Sequence, residues 1–360
     1  MSLRRLAKRL GLGLAALLLA LLLIFALFLG YSQIYSFQPE ALEVLEIQGQ
    51  TGPRLKVGTQ LNLLSYNLGY AGLGEDEDFF MDGGTMVQPS RERVERNFQG
   101  LLQELKREAG DLVFLQEVDR NSQRSYGRDQ VAALEAEIGG QGTFAYNFLV
   151  PYVPYPLQQP IGKVASGLLT VSQYEMAEAQ RLDLPGSFSW PVSLFNLRRC
   201  LLLSRLPIEG TNQSLVLVNL HLEAYDEGAG KQAQTQVLRE VLEREYAAGN
   251  YVVAGGDWNQ MFFASEGEPP VYPPQENRDW MPGQLRAGDI PEGWQLVFDH
   301  ERPSCRLNNQ AYKGHEATTP TFAIDGFLLS PNLQVEGFET VETGFRYSDH
   351  QPVRLRFRLR

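Results

Sequence analysis

Cysteine is scarce in this chain: Cys200 and Cys305 are the only two among 360 residues. A disulfide scaffold is excluded, and so is a thiolate metal site, because neither cysteine has a ligand partner at metal-binding spacing. Two readings of the pair stay open, one bridge in an oxidising compartment or two buried free thiols. Histidine is almost as rare, four in all, and no His-Glu-x-x-His occurs, which argues against a zinc protease. No Gly-x-Gly-x-x-Gly follows a strand-like run and there is no Gly-x-Ser-x-Gly elbow. Dinucleotide binding and serine-nucleophile hydrolysis therefore lose their sequence support. No internal repeat and no second domain boundary is visible.

Basic charge is also short. Setting Arg4, Arg5, Lys8 and Arg9 aside from the 32 basic side chains leaves 28 against 43 acidic ones, a balance of −15. A domain so acidic lacks the positive field that non-specific duplex binding requires, which makes nucleic acid the less favoured partner. Charge of either sign is missing altogether from Leu10 to Gly30, a continuous apolar run. Roughly twenty helical residues cross a bilayer core. The four basic residues before the run, with no other until Arg54, place the N-terminus in the cytoplasm and the remainder outside. A cleaved signal peptide is the rival reading, but its apolar region is shorter, about 7–15 residues, and Phe28-Leu29-Gly30 is a poor cleavage site. The expected organisation is a basic tail (1–9), a single-pass transmembrane anchor (10–31), a tether (32–58) and one large domain (59–360).

Within that domain, six short apolar runs each end in, or enclose, a group suited to a metal or a phosphate. They lead to Asn67, to Glu117, to His221, to Asp257-Trp258-Asn259, to Asp325, and to the turn Ser348-Asp349-His350. Such runs bounded by turn residues predict buried strands. A polar group at a buried strand end costs free energy unless it has a partner, so the repetition implies strand ends converging on one polar cleft. Ser90 is placed to cap a helix carrying Val94, Phe98, Leu101, Leu102 and Leu105, and a second helix is expected over roughly 231–247. Further strands are expected near 144–150, 165–172, 199–206 and 215–220. Residues 262–320, with Pro269, Pro270, Pro273 and Pro274, read as a loop-rich stretch over the site. Strands alternating with helices and then returning as strands give a mixed α/β domain.

The donor set is hard: Asn67, Glu117 and Asp349 offer oxygens without a thiolate, which suits Mg²⁺, Mn²⁺ or Ca²⁺ better than zinc. His221, Asn259 and His350 supply donors for a charged five-coordinate phosphorus. Asp257 is placed to hold and deprotonate a water, and Asp325 to orient His350 through its other ring nitrogen. Lys163, Arg199, Arg306 and Lys313 are candidate phosphate contacts. Taken singly, a strand-end Asn or Asp is usually a turn former and a lone histidine a satisfied core residue. Their joint occurrence favours the site.

The ordered set Tyr66-Asn67, Gln116-Glu117, Asn219-Leu220-His221-Leu222, Gly256-Asp257-Trp258-Asn259, Ile324-Asp325-Gly326 and Ser348-Asp349-His350 resembles the endonuclease/exonuclease/phosphatase superfamily, over about residues 60–358. That superfamily includes DNase I-like nucleases, inositol polyphosphate 5-phosphatases and neutral sphingomyelinases. The resemblance implies a four-layer α/β sandwich, two central mixed β-sheets flanked by helices, and Mg²⁺-dependent phosphoester hydrolysis. It implies Asn67 and Glu117 at the metal, Asp257 at the attacking water, Asn259 and His221 at the phosphate, and Asp325 paired with His350, beside Asp349. Leu220 stands where the family often has Thr, Trp258 where Phe is commoner, and Leu68-Gly69-Tyr70 matches poorly the DNA-contact segment of abasic-site endonucleases. These readings point to a membrane-anchored hydrolase of a small-molecule or lipid phosphodiester. An exported nuclease and a catalytically silent binding module are the alternatives. The apolar segment Val150–Pro156 and the loop with Phe79 and Phe80 are expected to wall the cleft.

Overall fold

The computed structural model describes residues 3–226, 228–263 and 280–360. Helix α1 (Leu3–Ile34) projects its apolar side chains outward for most of its length. It is followed by strands β1 (Leu42–Val44), β2 (Gln48–Gly49) and β3 (Gln60–Asn67), then α2 (Arg91–Glu108), β4 (Leu112–Asp119), α3 (Gln130–Ile138), β5 (Gln141–Val153), β6 (Gly162–Ser172), β7 (Glu178–Asp183), β8 (Cys200–Pro207) and β9 (Ser214–His221). Helix α4 (Ala229–Ala247) leads to β10 (Tyr251–Asp257), β11 (Gln260–Met261), β12 (Gly283–Gln284), β13 (Gln295–Val297), β14 (Cys305–Arg306), β15 (Thr321–Phe322), β16 (Asp325–Leu329), β17 (Leu333–Thr340) and β18 (Val353–Leu359).

Two seven-stranded mixed sheets form, in the orders β1-β7-β8-β9-β10-β16-β13 and β17-β18-β3-β4-β6-β5-β2. Strand alternation explains how they stack. In β3, Leu61 and Leu63 face the other sheet and join Leu215, Leu217, Val253 and Phe327 in the central core. Leu64 and Tyr66 face the opposite way, against Val94, Phe98, Leu101 and Leu105 of α2 and Val131 and Leu134 of α3. On the far side, Leu238, Val241 and Leu242 of α4 cover Val216, Val218 and Val252. The result is the expected four-layer sandwich, helix–sheet–sheet–helix. The Ser90 hydroxyl accepts from the Arg93 N–H and caps α2 as predicted.

Between the layers, buried amides join the two sheets. Gln116 of β4 donates from Nε2 to Oδ1 of Asn219 on β9 at 2.8 Å and to Oγ of Ser65 at 3.2 Å. Asn219 returns its own N–H groups to the Leu115 and Leu169 carbonyls of the other sheet. Beside it, β9 and β10 run parallel, with Leu220 opposite Gly256. A Cβ at Gly256 would fall 2.0 Å from the Leu220 carbonyl oxygen, and φ there is +139°, so only glycine allows this approach.

Some elements differ from expectation. The segment read as a tether is partly sheet: β1 pairs with β7 and β2 with β5, adding an edge strand to each sheet. Helix α3 was not expected; its short apolar pattern is broken by Glu135 and Glu137. Both cysteines are buried free thiols. Pro269, Pro270, Pro273 and Pro274 lie outside the described residues.

Candidate active site

The parallel and antiparallel pairings bring one polar residue from each of several strands to the same end of the sandwich. Asp257, the last residue of β10, lies opposite His221 at the end of parallel β9 and opposite Asp325 at the start of antiparallel β16. Across the gap between sheets, Asn67 ends β3 and Glu117 nears the end of β4. Glu117 has φ +53° in a register shift between Leu115 and Val118, a bulge that re-aims its side chain into the cleft. Asn259 (φ +50°) and Tyr70 (φ +44°) are also left-handed. Such backbone costs of order 1–3 kcal/mol per residue, and its clustering here is a mark of a functional site.

Asp257 is the hub. Its Oδ2 accepts from Asn67 Nδ2 at 2.9 Å and lies 3.4 Å from His221 Nε2 and 3.6 Å from His350 Nε2. Its Oδ1 accepts from the Asn259 backbone N–H at 2.9 Å. Burial pushes this carboxyl up to about 7, with Asp325 reinforcing and His350 opposing. The other ring nitrogen of His350, Nδ1, is 2.8 Å from Asp325 Oδ2, which also accepts from the Ser304 hydroxyl at 2.7 Å. Burial disfavours a charged His350, yet Asp325, with Cys305 and Asp257, outweighs it and holds the ring well above the ordinary histidine value. His221 goes the other way: burial, then the Arg199 guanidinium, keep it neutral. Two buried histidines within reach of one carboxylate thus carry opposite charge states.

Among the described residues no three His, Cys, Asp or Glu side chains close on a point as a ready metal cage. The donors instead suit a largely hydrated ion, which Mg²⁺ prefers, held through one or two carboxylates. Burial raises the pKa of Glu117 and the negative Asp349 adds to it, only partly offset by Arg124 and His350, a balance that a divalent cation would tip back towards the carboxylate. Asn67 presents its N–H side to Glu117 (3.4 Å) and Asp257, while its Oδ1 already accepts from the Gly69 N–H. It therefore orients the two carboxylates, with only the remaining lone pair of Oδ1 left for an ion. Asp349 Oδ2 accepts from Asn308 Nδ2 at 2.7 Å.

Glu117, His221, Asp257, Asn259, Asp349 and His350 form the floor of a cavity of about 720 Å³, with Asn67 and Asp325 behind them. Its walls are mostly apolar and include Phe79, Met81, Val153, Tyr155, Phe188 and Phe195, so both segments expected to wall the cleft do so. Of the predicted phosphate contacts, Arg199 lines the cavity, donates to the His221 carbonyl, and leaves Nε without a hydrogen-bond acceptor, 3.9 Å from Glu223. Arg306 also lines it; its Nη2 donates to the carbonyls of Leu73, Gly74 and Glu77, where it clamps the acidic loop, while its Nε, like that of Arg199, has no hydrogen-bond acceptor. Lys163 is exposed and lies outside the lining, as does Lys313, which pairs with Glu75 on the surface.

Arg124, Asn147 and Asn308 are among the lining residues that escaped the sequence reading. Arg124 pairs with Asp119 and sits 3.8 Å over the Tyr70 ring. Asn147 leaves its buried Nδ2 unpartnered, and Asn308 holds Asp349 and Asp82. Asn147 carried a legible signal, an amide inside the apolar strand FAYNFLV.

The comparisons with known proteins agree with this architecture. A family model described as Endonuclease/Exonuclease/phosphatase family matches residues 64–350. An endonuclease/exonuclease/phosphatase from Beutenbergia cavernae is similar in structure (TM-score 0.55, 16% identity), covering 83% of this chain and 72% of its own. One from Bacteroides vulgatus gives TM-score 0.51 at 17% identity, over 84% and 100% of the two chains. The human Nocturnin catalytic domain, solved with a bound sulfate anion, gives 0.52 at 15%, over 88% and 97%. No curated protein matches the sequence.

Proposed function

This chain belongs to the Endonuclease/Exonuclease/phosphatase family, and we propose that it is a membrane-anchored, divalent-metal-dependent hydrolase of a small-molecule or lipid phosphodiester. Members of the family are phosphoester hydrolases, and one observation carries the reading further: Asp257, His350 backed by Asp325, Asn259, His221 and Glu117 share one cavity with largely apolar walls. A Mg²⁺ or Mn²⁺ ion beside Glu117, with Asn67 and Asp349 next to it, would neutralise charge on a phosphoryl oxygen. Asp257 accepts a proton from the attacking water, a task suited to a carboxyl tuned towards neutral pH. His350, kept cationic by Asp325, sets positive charge where the five-coordinate phosphorus becomes more negative. Asn259 and Arg199 hold the phosphate, and His221 stays neutral beside Asp257.

Helix α1 is apolar and long enough to cross a bilayer, a property a signal sequence shares. The basic residues before it support an anchor with the N-terminus cytoplasmic and the domain outside. The charge balance of −15 disfavours the nuclease alternative. The test is a substrate panel on the full-length chain in detergent: duplex DNA, RNA, a phospholipid and a chromogenic phosphodiester, each with and without Mg²⁺ or Mn²⁺. Metal-dependent release from the lipid or the small diester supports the proposal. Cleavage confined to polynucleotides would make the chain an exported nuclease, and no hydrolysis under any condition would make it a binding module.

A further inference from the structure

The described residues carry an exposed apolar rim beside the cavity mouth, on elements distant in sequence. Tyr155 (61% exposed) and Leu157 (81%) sit at the tip between β5 and β6, with Tyr152 on β5. Trp190 (62%) and Val192 (50%) lie on the turn that precedes β8, and Met81 on the loop after β3. The tip and the turn share one small core, in which Phe148, Val153 and Val164 pack with Phe195 and Leu197, so the two exposed edges are held side by side. An exposed apolar patch of this kind, rimming a cleft, marks an interaction surface.

The position of α1 identifies what covers it. Phe28, in the last turn of the charge-free run, stacks on Phe195 with ring centroids 5.6 Å apart and meets Tyr152 edge-on at 6.4 Å. Ser32, one turn on, is buried. At about 1.5 Å per residue, Leu10–Gly30 spans about 30 Å, the thickness of a hydrocarbon core, so Phe28 lies just inside its outer boundary. Tyr152 and Phe195 touch Phe28 and therefore lie at that same depth. Tyr31 and Tyr35, both exposed and in tilted ring contact at 4.6 Å, continue the level as interfacial aromatics do.

We propose that the rim formed by Tyr152, Tyr155, Leu157, Trp190, Val192 and Met81 rests in the outer leaflet in which α1 is anchored, and that the cavity opens onto the lipid headgroups. The inference builds on the anchored-phosphoesterase reading and narrows its substrate to the phosphodiester of a membrane lipid. Phe195, Val192 and Tyr155 both face the rim and line the cavity, a continuous apolar path from acyl chains to the polar floor. An acidic domain gains nothing from anionic headgroups, so apolar insertion supplies the contact.

The experiment uses the full-length protein in phosphatidylcholine nanodiscs. An environment-sensitive thiol dye is placed at Leu157→Cys or Trp190→Cys, the native Cys200 and Cys305 being buried. A control label at Lys106→Cys sits on α2 near the start of β4, at the opposite end of the sheets from the site. The rim labels should shift to the blue and be quenched by brominated acyl chains, while the control does neither. A rim label that stays water-like overturns the proposal, whatever the enzyme's activity. A blue shift that grows with protein concentration and ignores the lipid quencher overturns it as well, in favour of a second copy. In parallel, Leu157→Asp and Trp190→Asp should each lower phospholipid turnover about tenfold, the loss from one buried apolar side chain, and leave hydrolysis of a soluble chromogenic diester unchanged. Equal losses on both substrates would make the rim merely structural. Inactivity on every phosphoester would remove the hydrolase reading and leave the depth measurement standing.

Discussion

Gln116 and Glu117 are neighbours on one strand, and Asn219 and His221 are two residues apart on another, yet the two pairs live under different rules. Gln116 and Asn219 face each other across the sheets, and the donors of both amides are met by protein acceptors. Glu117 and His221, one step nearer the open end, have few partners: Nδ1 of His221 has none among the described residues, and Glu117 has a single long contact from Asn67. Both regions are polar and enclosed, so polarity and burial alone do not mark a site. What separates them is how far the chain supplies their partners: in the lower pair every N–H is met and only the Gln116 Oε1 acceptor is left over. The lower pair holds the sheets together; the upper groups are left for something else.

Three measurements probe that contrast. The largest effect belongs to the open end: Asp257→Ala should lower turnover by about 10²–10⁴-fold, the usual contribution of a general base, without loss of thermal stability. Retention of most of the rate would deny Asp257 any role at the water. At the lower pair the expectation reverses. Asn219→Ala removes one of the two acceptors of the buried Gln116 amide and the donor to the Leu115 and Leu169 carbonyls, and should cost about 1–3 kcal/mol in denaturant unfolding, so a variant as stable as the parent would break the comparison. The smallest effect tests burial away from both regions. Burial pushes Glu104, which accepts from the Tyr66 hydroxyl, up to about 7. Because its folded pKa exceeds the ordinary value of 4.5, its contribution is fully present below about pH 4.5 and is lost as pH rises through about 7. Glu104→Gln should therefore raise the melting temperature at pH 8 and leave it nearly unchanged at pH 4, by a difference of order 1 kcal/mol or more.

The strands that carry the floor were legible because each apolar run stops at one polar residue, which the parallel and antiparallel pairings then bring to a common end. The cavity walls were legible for a similar reason, as aromatic and proline-rich segments outside any regular period. The phosphate contacts were not. Lys163, Arg199 and Arg306 look alike in sequence, but Lys163 is solvated, Arg199 gives a single N–H to a backbone carbonyl, and Arg306 gives most of its guanidinium to several. That distinction rests on which loops reach the guanidinium, and no local pattern encodes it. Arg124 was hidden likewise, since its position over Tyr70 depends on a loop more than fifty residues away in the chain. The edge strands β1 and β2 were missed because two or three residues cannot display an alternation.

The stacking of Phe28 on Phe195 and the burial of Ser32 have one more consequence. A catalytic domain on a loose leash sweeps a hemisphere and meets soluble molecules and neighbouring cells alike. A domain clamped to its own anchor is confined to encounters in two dimensions, with the sheet of molecules in which it is rooted. On the anchored reading its velocity follows the surface mole fraction of substrate rather than the bulk concentration, and dilution with inert lipid slows it at constant total substrate.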